Sequence, residues 1–343
     1  LTLNVGNAVH VRPLDAEAGA PFGHLRSAFP EAIPLGIVHS EDGRAALDPD
    51  PETILQDDDL IVLLARRSDD CVPQETRPAS FPISSAGRLP PALEGRRRVM
   101  ILGWSRKVPA LLREFARYGG DAFEIDIVST TPTREREDAI GRQAAGAGSE
   151  HVRQIEASYT LPGVLERLEP RRYDNIVLLA SERLADEEKA DATTVLAYLM
   201  LRGLLPREAP CPRVFVELLE EENLFLFDSN REDVIVSPLV VSYLLSQVAL
   251  RRELGSVFTE LSRPWGAQVV LQPAEDYLAT NGPVRFGDLD RAAASRGEIA
   301  LGFRLTEGGL VLNPDRDTDW VLAAGDEVVV LTSYAERDQK RQV

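Results

Sequence analysis

The residues best placed to do chemistry form the turn Gly103-Trp104-Ser105-Arg106-Lys107, which joins the apolar run Val99–Leu102 to a helical pattern. A glycine-led turn between a strand and a helix is where backbone amides approach a phosphate at a helix N-terminus. That chemistry requires Gly-x-Gly-x-x-Gly. Here Trp104 and Ser105 follow the first glycine, and the later glycines are missing. A large side chain at the turn obstructs close backbone approach. An acid about 20 residues further on would hold a ribose, but the next strand ends in Ser129-Thr130-Thr131, and alternation places Asp126 inside that strand. NAD bound in the usual mode is therefore not expected. What remains is a polar cleft suited to recognition. Its candidate ligand-binding residues are Gly103, Trp104, Ser105 and Arg106 from the first turn, Ser129 and Thr130 from the second, and Ser181 and Glu182 beyond the fourth strand. Cations at a helix start are disfavoured by the helix dipole by a few tenths of a kcal/mol, roughly. A bound anion, or a carboxylate such as Glu182, would offset that for Arg106 and Lys107.

Other chemistries find little support. His10, His24, His39 and His151 are scattered, and Cys71 and Cys211 stand apart, so neither a metal spacing nor a disulfide framework appears. There is no Gly-x-Ser-x-Gly, Walker loop or His-Glu-x-x-His, and no catalytic residue is assigned. The acidic clusters are Asp48 to Glu52, Asp57 to Asp59, Asp69-Asp70, Glu220 to Glu222 and Asp315 to Asp319. None has the glycine and terminal glutamate of an EF-hand, and the simple reading of each is a solvated turn. With a net charge of −17, calcium is the single ion worth testing, although no metal ligands can be assigned and the cofactor stays unknown. The same charge argues against nucleic acid or an anionic membrane surface as partner. The longest apolar stretch, Val234 to Leu250, contains Ser237, Pro238, Ser242, Ser246 and Gln247 and is short for a membrane span. The chain as given reads as soluble.

The elements that must position the cleft alternate. After Arg98 come six short apolar runs: Val99–Gly103, Phe123–Val128, His151–Ile155, Asp174–Ala180, Pro212–Glu217 and Asp233–Val236. Helical patterns separate them, the longest running from Glu187 to Leu205. Strands alternating with helices predict a Rossmann-like parallel sheet with helices on both faces. The helix from Pro238 to Leu250 is apolar nearly all round, more than one sheet face can cover. Leu239, Tyr243, Leu244 and Val248 are therefore expected at an assembly surface.

The chain also opens and closes on a repeat. Near the start stand Phe29-Pro-Glu-Ala-Ile-Pro-Leu-Gly36, then Leu47-Asp-Pro49, then an acidic corner at Asp59 before an apolar strand. Near the end stand Ile299-Ala-Leu-Gly302, then Leu312-Asn-Pro314, then Asp326 before another apolar strand. Gly36 and Gly302 are 266 positions apart (302 − 36). Each copy predicts a small α+β lobe flanking the parallel sheet.

With these residues in view, the chain resembles the cytoplasmic part of the CASTOR/POLLUX ion channels. The carriers of the resemblance are Phe29-Pro-Glu-Ala-Ile-Pro, Ile101-Leu-Gly-Trp104-Ser-Arg106, Pro132-Thr-Arg-Glu-Arg-Glu137, Tyr173 to Ala180, Asp191-Ala-Thr-Thr, Asp276-Tyr-Leu278 and Ile299 to Arg304. The resemblance implies tandem RCK domains. Residues 1–67 would be the C-terminal lobe of a first module whose Rossmann lobe is absent, and 68–96 a Pro-rich linker. Residues 97–252 would be the Rossmann-like lobe of a second module, and 253–343 its C-terminal lobe. It implies a non-enzymatic, ligand-sensing part of a cation (potassium-type) channel's gating ring, at the cytoplasmic face of the membrane. Its partners would be copies of itself, as a dimer or larger, meeting through the helix from Pro238 and through Val257 and Leu261 of the short helix after it, and a pore domain upstream in the same or another chain. A soluble regulatory subunit of a cation transporter and a nucleotide-dependent oxidoreductase are the alternatives.

Overall fold

The computed structural model describes residues 6–14, 17–74, 96–117, 123–143, 151–181, 187–206, 211–227, 233–263, 266–278, 282–306, 309–316 and 318–333. The chain divides into two compact units, one drawn from Leu1–Pro90 and Gln247–Val343, the other from Pro91–Ser246.

The first part of the discontinuous unit holds β1 (Ala8–Pro13), the short α1 (Leu25–Ala28), β2 (Ile33–Val38), β3 (Ala45–Leu47) and β4 (Leu60–Ala65). These strands form an antiparallel sheet in the order β1-β4-β2-β3. β1 was not foreseen from the sequence. Its residues Ala8-Val-His-Val-Arg-Pro carry a histidine and an arginine, which mask an edge strand's apolar face. The stretch 68–74, expected to begin a structureless linker, instead starts with a 3-10 turn at Ser68–Cys71. Cys71 is buried, and the Gln74 amide donates to the Ala28 carbonyl at 2.8 Å. The remaining linker residues, 75–95, lie outside the described set.

The continuous unit contains β5 (Arg97–Leu102), α2 (Val108–Arg117), β6 (Phe123–Ser129), α3 (Thr133–Gln143), β7 (Val152–Glu156), α4 (Pro162–Arg167), β8 (Asn175–Leu178), α5 (Glu187–Leu204), β9 (Arg213–Leu218), β10 (Val234–Val236) and the start of α6 (Ser237–Leu250). The sheet order is β10-β9-β8-β5-β6-β7, parallel throughout, with one apolar cluster on each face. Val99, Met100, Ile101 and Leu102 are fully buried, as a central parallel strand covered on both sides demands. The expected Rossmann-like α/β architecture is present.

The chain then returns to the first unit with α7 (Leu254–Leu261), β11 (Ala267–Pro273), β12 (Pro283–Arg285), α8 (Phe286–Ser295), β13 (Ile299–Leu305), β14 (Gly309–Leu312), β15 (Asp319–Val321) and β16 (Glu327–Ser333). The order β11-β16-β13-β14 repeats β1-β4-β2-β3, so the internal repeat extends one strand further than its motifs suggested. The register is repeated too. Gly36 faces Val62 and Leu47, and Gly302 faces Val329 and Leu312, each beside a bulge. A Cβ at Gly36 would collide with the Ala46 carbonyl, and one at Gly302 with the Val311 carbonyl. The matched glycines of the two copies thus have a steric cause within each sheet.

The acidic corners are inward caps. Asp59 is 2% exposed and accepts from the amides of Gln56 and Ser40 at 3.1 and 3.4 Å. Asp326 is 6% exposed and accepts from the amides of Thr306 and Ala323 at 2.8 Å each, and from the Thr306 hydroxyl at 2.9 Å. Asp59 therefore departs from the solvated-turn reading of its cluster, and Asp326 is its counterpart in the second copy. Burial pushes the Asp326 carboxyl up, but its hydrogen bonds hold it below the ordinary carboxylate value. A depressed carboxyl contributes stability above its unfolded value and loses it as pH falls through the folded one. Asp326→Asn is expected to lower stability at neutral pH and to flatten the loss below about pH 4, as read by urea melts across pH. Gly302→Ala is expected to cost roughly 1–3 kcal/mol by overpacking. Gly141→Ala, in α3 with open space around its would-be Cβ, is expected to add about 0.5–1 kcal/mol.

Candidate functional site

The C-terminal ends of β5, β6 and β8 lie side by side and bring Gly103 to Arg106, Ser129, Thr130 and Ser181 of the sequence-predicted ligand residues to one edge of the parallel sheet. This is where open α/β sheets place their ligand crevice. Gly103 has φ +104°, and a Cβ there would strike the Leu179 carbonyl and lie 3.4 Å from the Tyr159 hydroxyl. Only glycine fits this turn. Trp104 turns inward, joining the buried cluster of Val99, Val108, Leu112, Ile127 and Leu179. Its role here is core packing, not obstruction read from its size alone.

The two buried serines do local work. Ser105 Oγ accepts from the Lys107 amide at 3.3 Å, and its carbonyl accepts from the Val108 amide at 3.1 Å, so it starts α2. Ser129 Oγ accepts from the Thr131 amide at 3.1 Å and shapes the turn before α3. Thr130 and Arg106 are exposed and Ser181 is half-buried, while Glu182 lies outside the described residues. Beneath the second turn, Arg136 is fully buried, donating to the Ile127 carbonyl at 3.0 Å and to Thr133 Oγ1 at 3.2 Å. Burial lowers its pKa against the opposing pulls of Glu156 and Glu137. The start of α3 already has an anion: Glu156 accepts from the Thr133 amide at 2.9 Å.

The most suggestive arrangement was not foreseen. Glu217, on β9 and 7% exposed, receives Lys107 Nζ and Ser237 Oγ on the same carboxylate oxygen, Oε1. Its other oxygen, Oε2, is buried without a hydrogen-bond partner. One carboxylate thus joins the start of α2, the end of β9 and the first residue of α6. The sequence signal was available: Glu217 closes an otherwise apolar strand, where a carboxylate needs a partner. Nearby, Asp191 inside α5 accepts from the amides of Leu219 and Glu220 and from Asn223 Nδ2, at 2.9, 3.0 and 2.8 Å. It therefore fixes the turn that follows β9.

The residues expected at an assembly surface divide into two groups. α6 contains no buried residue. Tyr243, Leu244 and Leu245 are 42%, 40% and 66% exposed, whereas Leu239 and Val248 are half-covered. Val257, by contrast, is fully buried and Leu261 packs on the same core, because α7 lies against β3. These two are core residues, which corrects the expectation that they face a partner. In the discontinuous unit, a cavity of about 240 Å³ is lined by Arg66, Arg67, Arg316, Glu31, Asp70 and Asp315. Arg66 and Arg316 there hold the carbonyls of Asn313 and of Pro30 and Ala32. Among the described residues, no three His, Cys, Asp or Glu side chains gather as a metal site would require. Nor is any helix among them long and apolar enough to cross a membrane.

Lys107→Met should leave Glu217 buried without its cation and cost about 1–3 kcal/mol. A double-mutant cycle with Glu217→Gln should recover part of that loss. Additive losses would show that the pair is not coupled.

Comparison with known proteins places these features. Residues 3–80 match the family described as "Castor and Pollux, part of voltage-gated ion channel". The chain is 23% identical to a probable ion channel POLLUX of Oryza sativa subsp. japonica over 92% of its own length and 36% of that protein's. It is 24% identical to the ion channel POLLUX of Lotus japonicus, covering 92% of this chain and 38% of that protein, and 25% identical to the Lotus japonicus ion channel CASTOR, covering 92% and 41%. It spans about two fifths of the length of these curated relatives. Among solved structures, the human SLO3 gating ring superposes with a TM-score of 0.65 at 13% identity, covering 96% of this chain and 67% of that one, a likeness of fold. The relatives matched are named ion channels and not enzymes. Over nine-tenths of its length, this chain is similar to the CASTOR/POLLUX ion channels.

Proposed function

We propose that the chain is a regulatory, ligand-sensing region of a cation channel, with the ligand acting at the C-terminal edge of the parallel sheet. The observation that carries this reading is the Glu217 carboxylate, shared by Lys107 of the candidate cleft and Ser237 at the head of α6. A small ion entering the cleft would compete within that pair. A cation would draw Glu217 from Lys107, and an anion would draw Lys107 from Glu217. Either changes what Ser237 holds, and so biases the start of α6. A ligand that prefers one arrangement shifts the population by its differential affinity. The work is recognition, so no bond is made or broken. In the full channel the region would stand at the cytoplasmic face and bias a pore domain. Potassium as the permeant ion belongs to this proposal, as does the division of the chain into two C-terminal lobes around one Rossmann-like lobe.

Self-association through α6 is the second half of the reading. Its supports are the apolar side chains left exposed along a 14-residue helix and the likeness of fold to a gating ring. Sedimentation should report a dimer or larger species, and the double variant Leu244→Asp, Leu245→Asp should dissociate it. A wild-type chain that stays monomeric at hundreds of micromolar, roughly the upper end of ordinary weak association, would remove this half.

For the ligand, calcium, magnesium, sodium, phosphate and NADH can each be titrated while following the melting temperature. A ligand that binds only the native state raises the midpoint by mass action. The expectation is a response to one ion that disappears in both Lys107→Met and Glu217→Gln, with NADH no tighter than millimolar. Equal responses to calcium and magnesium would mark charge screening, since magnesium demands tight octahedral geometry and calcium does not. Micromolar NADH affinity would overturn the reading of the cleft.

A further inference from the structure

In the discontinuous unit, the residue that follows α6 is held by β1. Arg251 Nη1 donates to the Val9 carbonyl at 3.1 Å and lies 3.2 Å from His10 Nδ1. A guanidinium has only donors, so this second contact is a hydrogen bond only while Nδ1 carries no proton. His10 is 8% exposed, and its Nε2 is buried without a hydrogen-bond partner. Protonating the ring would turn the acceptor into a donor and set a second positive charge against Arg251 away from water, a costly arrangement unless compensated. The Ala65 carbonyl faces the ring from β4, and the Asp70 carboxylate acts on it from the turn after β4. Cys71 lies in that turn under the influence of Asp70, Arg12 and Arg251, and Arg12 of β1 donates to the Cys71 carbonyl at 2.9 Å. Asp70 favours the charged ring, and Arg251 opposes it.

We propose that His10 and Arg251 form an acid-sensitive latch that fastens the chain just beyond α6 to β1, closed while the ring is neutral and released when it is protonated. The latch is independent of the ligand cleft, which lies in the other unit, so failure of either proposal leaves the other standing.

Burial first, and then Arg251, hold the ring's pKa below its ordinary 6.5, outweighing the upward pulls of the Ala65 carbonyl and Asp70. A histidine depressed in this way contributes stability that is complete above its ordinary value. That contribution falls away as pH drops from there through the folded value. The latch therefore opens on the acid side of neutrality.

The test is a pH titration of the whole chain by NMR of its histidine rings, with the His10 signal assigned through His10→Gln. The expected result is a His10 midpoint below 6.5 that moves upward in Arg251→Gln. Hydrogen-exchange protection over residues 8–13 and 250–254 should be complete above pH 6.5 and fall as the pH drops below it. It should hold steady in His10→Gln, whose amide oxygen accepts from Arg251 at every pH. Should His10→Gln fail to fold, the shift in Arg251→Gln decides alone. A wild-type midpoint at or above 6.5, a midpoint indifferent to Arg251→Gln, or a His10→Gln chain with the wild-type pH response would overturn the latch.

Discussion

The discontinuous unit depends on one constraint: a small four-stranded sheet cannot bury its own apolar face. Each copy of the repeat makes such a sheet, and the two faces are buried in a single hydrophobic cluster. Phe29, Ile37 and Leu63 come from one copy, and Phe286, Phe303 and Val330 from the other. β2 and β13, the matching strands, approach each other, and α7 lies on β3. Polar ties seal the seam. Arg26 donates to the Glu298 carbonyl at 2.9 Å, Asn313 Nδ2 to the Glu31 carbonyl at 3.0 Å, and the Ser333 amide to Asp48 at 3.0 Å. Asp48 and Asn313 occupy matching places before a proline, and both take a positive φ, 50° and 45°. Asparagine and aspartate tolerate that conformation best among residues with a side chain. The repeat is therefore a pairing of two half-cores, and its sequence motifs are the residues that shape the pairing.

The continuous unit follows a different rule. Its sheet is covered on both faces by its own helices, so it needs no second copy to close its core. The cost of that closure falls at the strand ends, where polar groups must find partners. Asp191 satisfies one end and Glu217 another, and both do so by joining elements distant in the sequence. The proposed sensing role rests on the difference between them. Every oxygen of Asp191 is engaged, whereas Glu217 keeps one oxygen without a partner.

Much of the fold was legible because its signals were local. Six apolar runs separated by helical patterns announce a parallel sheet, and Gly36 and Gly302 stand in registers that only glycine permits. The rest was hidden wherever meaning depended on a distant partner. The apolar pattern of β1 is broken by His10 and Arg12, whose partners Arg251 and Cys71 lie far along the chain. Val257 reads as one more residue of an apolar helix, and only its contact with the first copy's sheet makes it core. Asp59 looks like part of a solvated turn until the chain folds over it. Lys107 and Glu217 are 110 positions apart (217 − 107), and no periodicity connects them.

The order of elements along the chain carries a consequence for synthesis. The first copy of the repeat is made before the parallel-sheet unit, and the strands that complete its core are made only after the whole of that unit. Contacts of such long sequence separation form slowly, because loop closure comes before the contacts that reward it. During translation the nascent first sheet must wait, its apolar face uncovered, while the middle unit emerges and folds. That interval is when such a chain is most open to non-native association and most dependent on a chaperone. Once the second sheet docks, the middle unit is left as an insertion between two halves of one core, and neither half of the discontinuous unit can leave without opening that core.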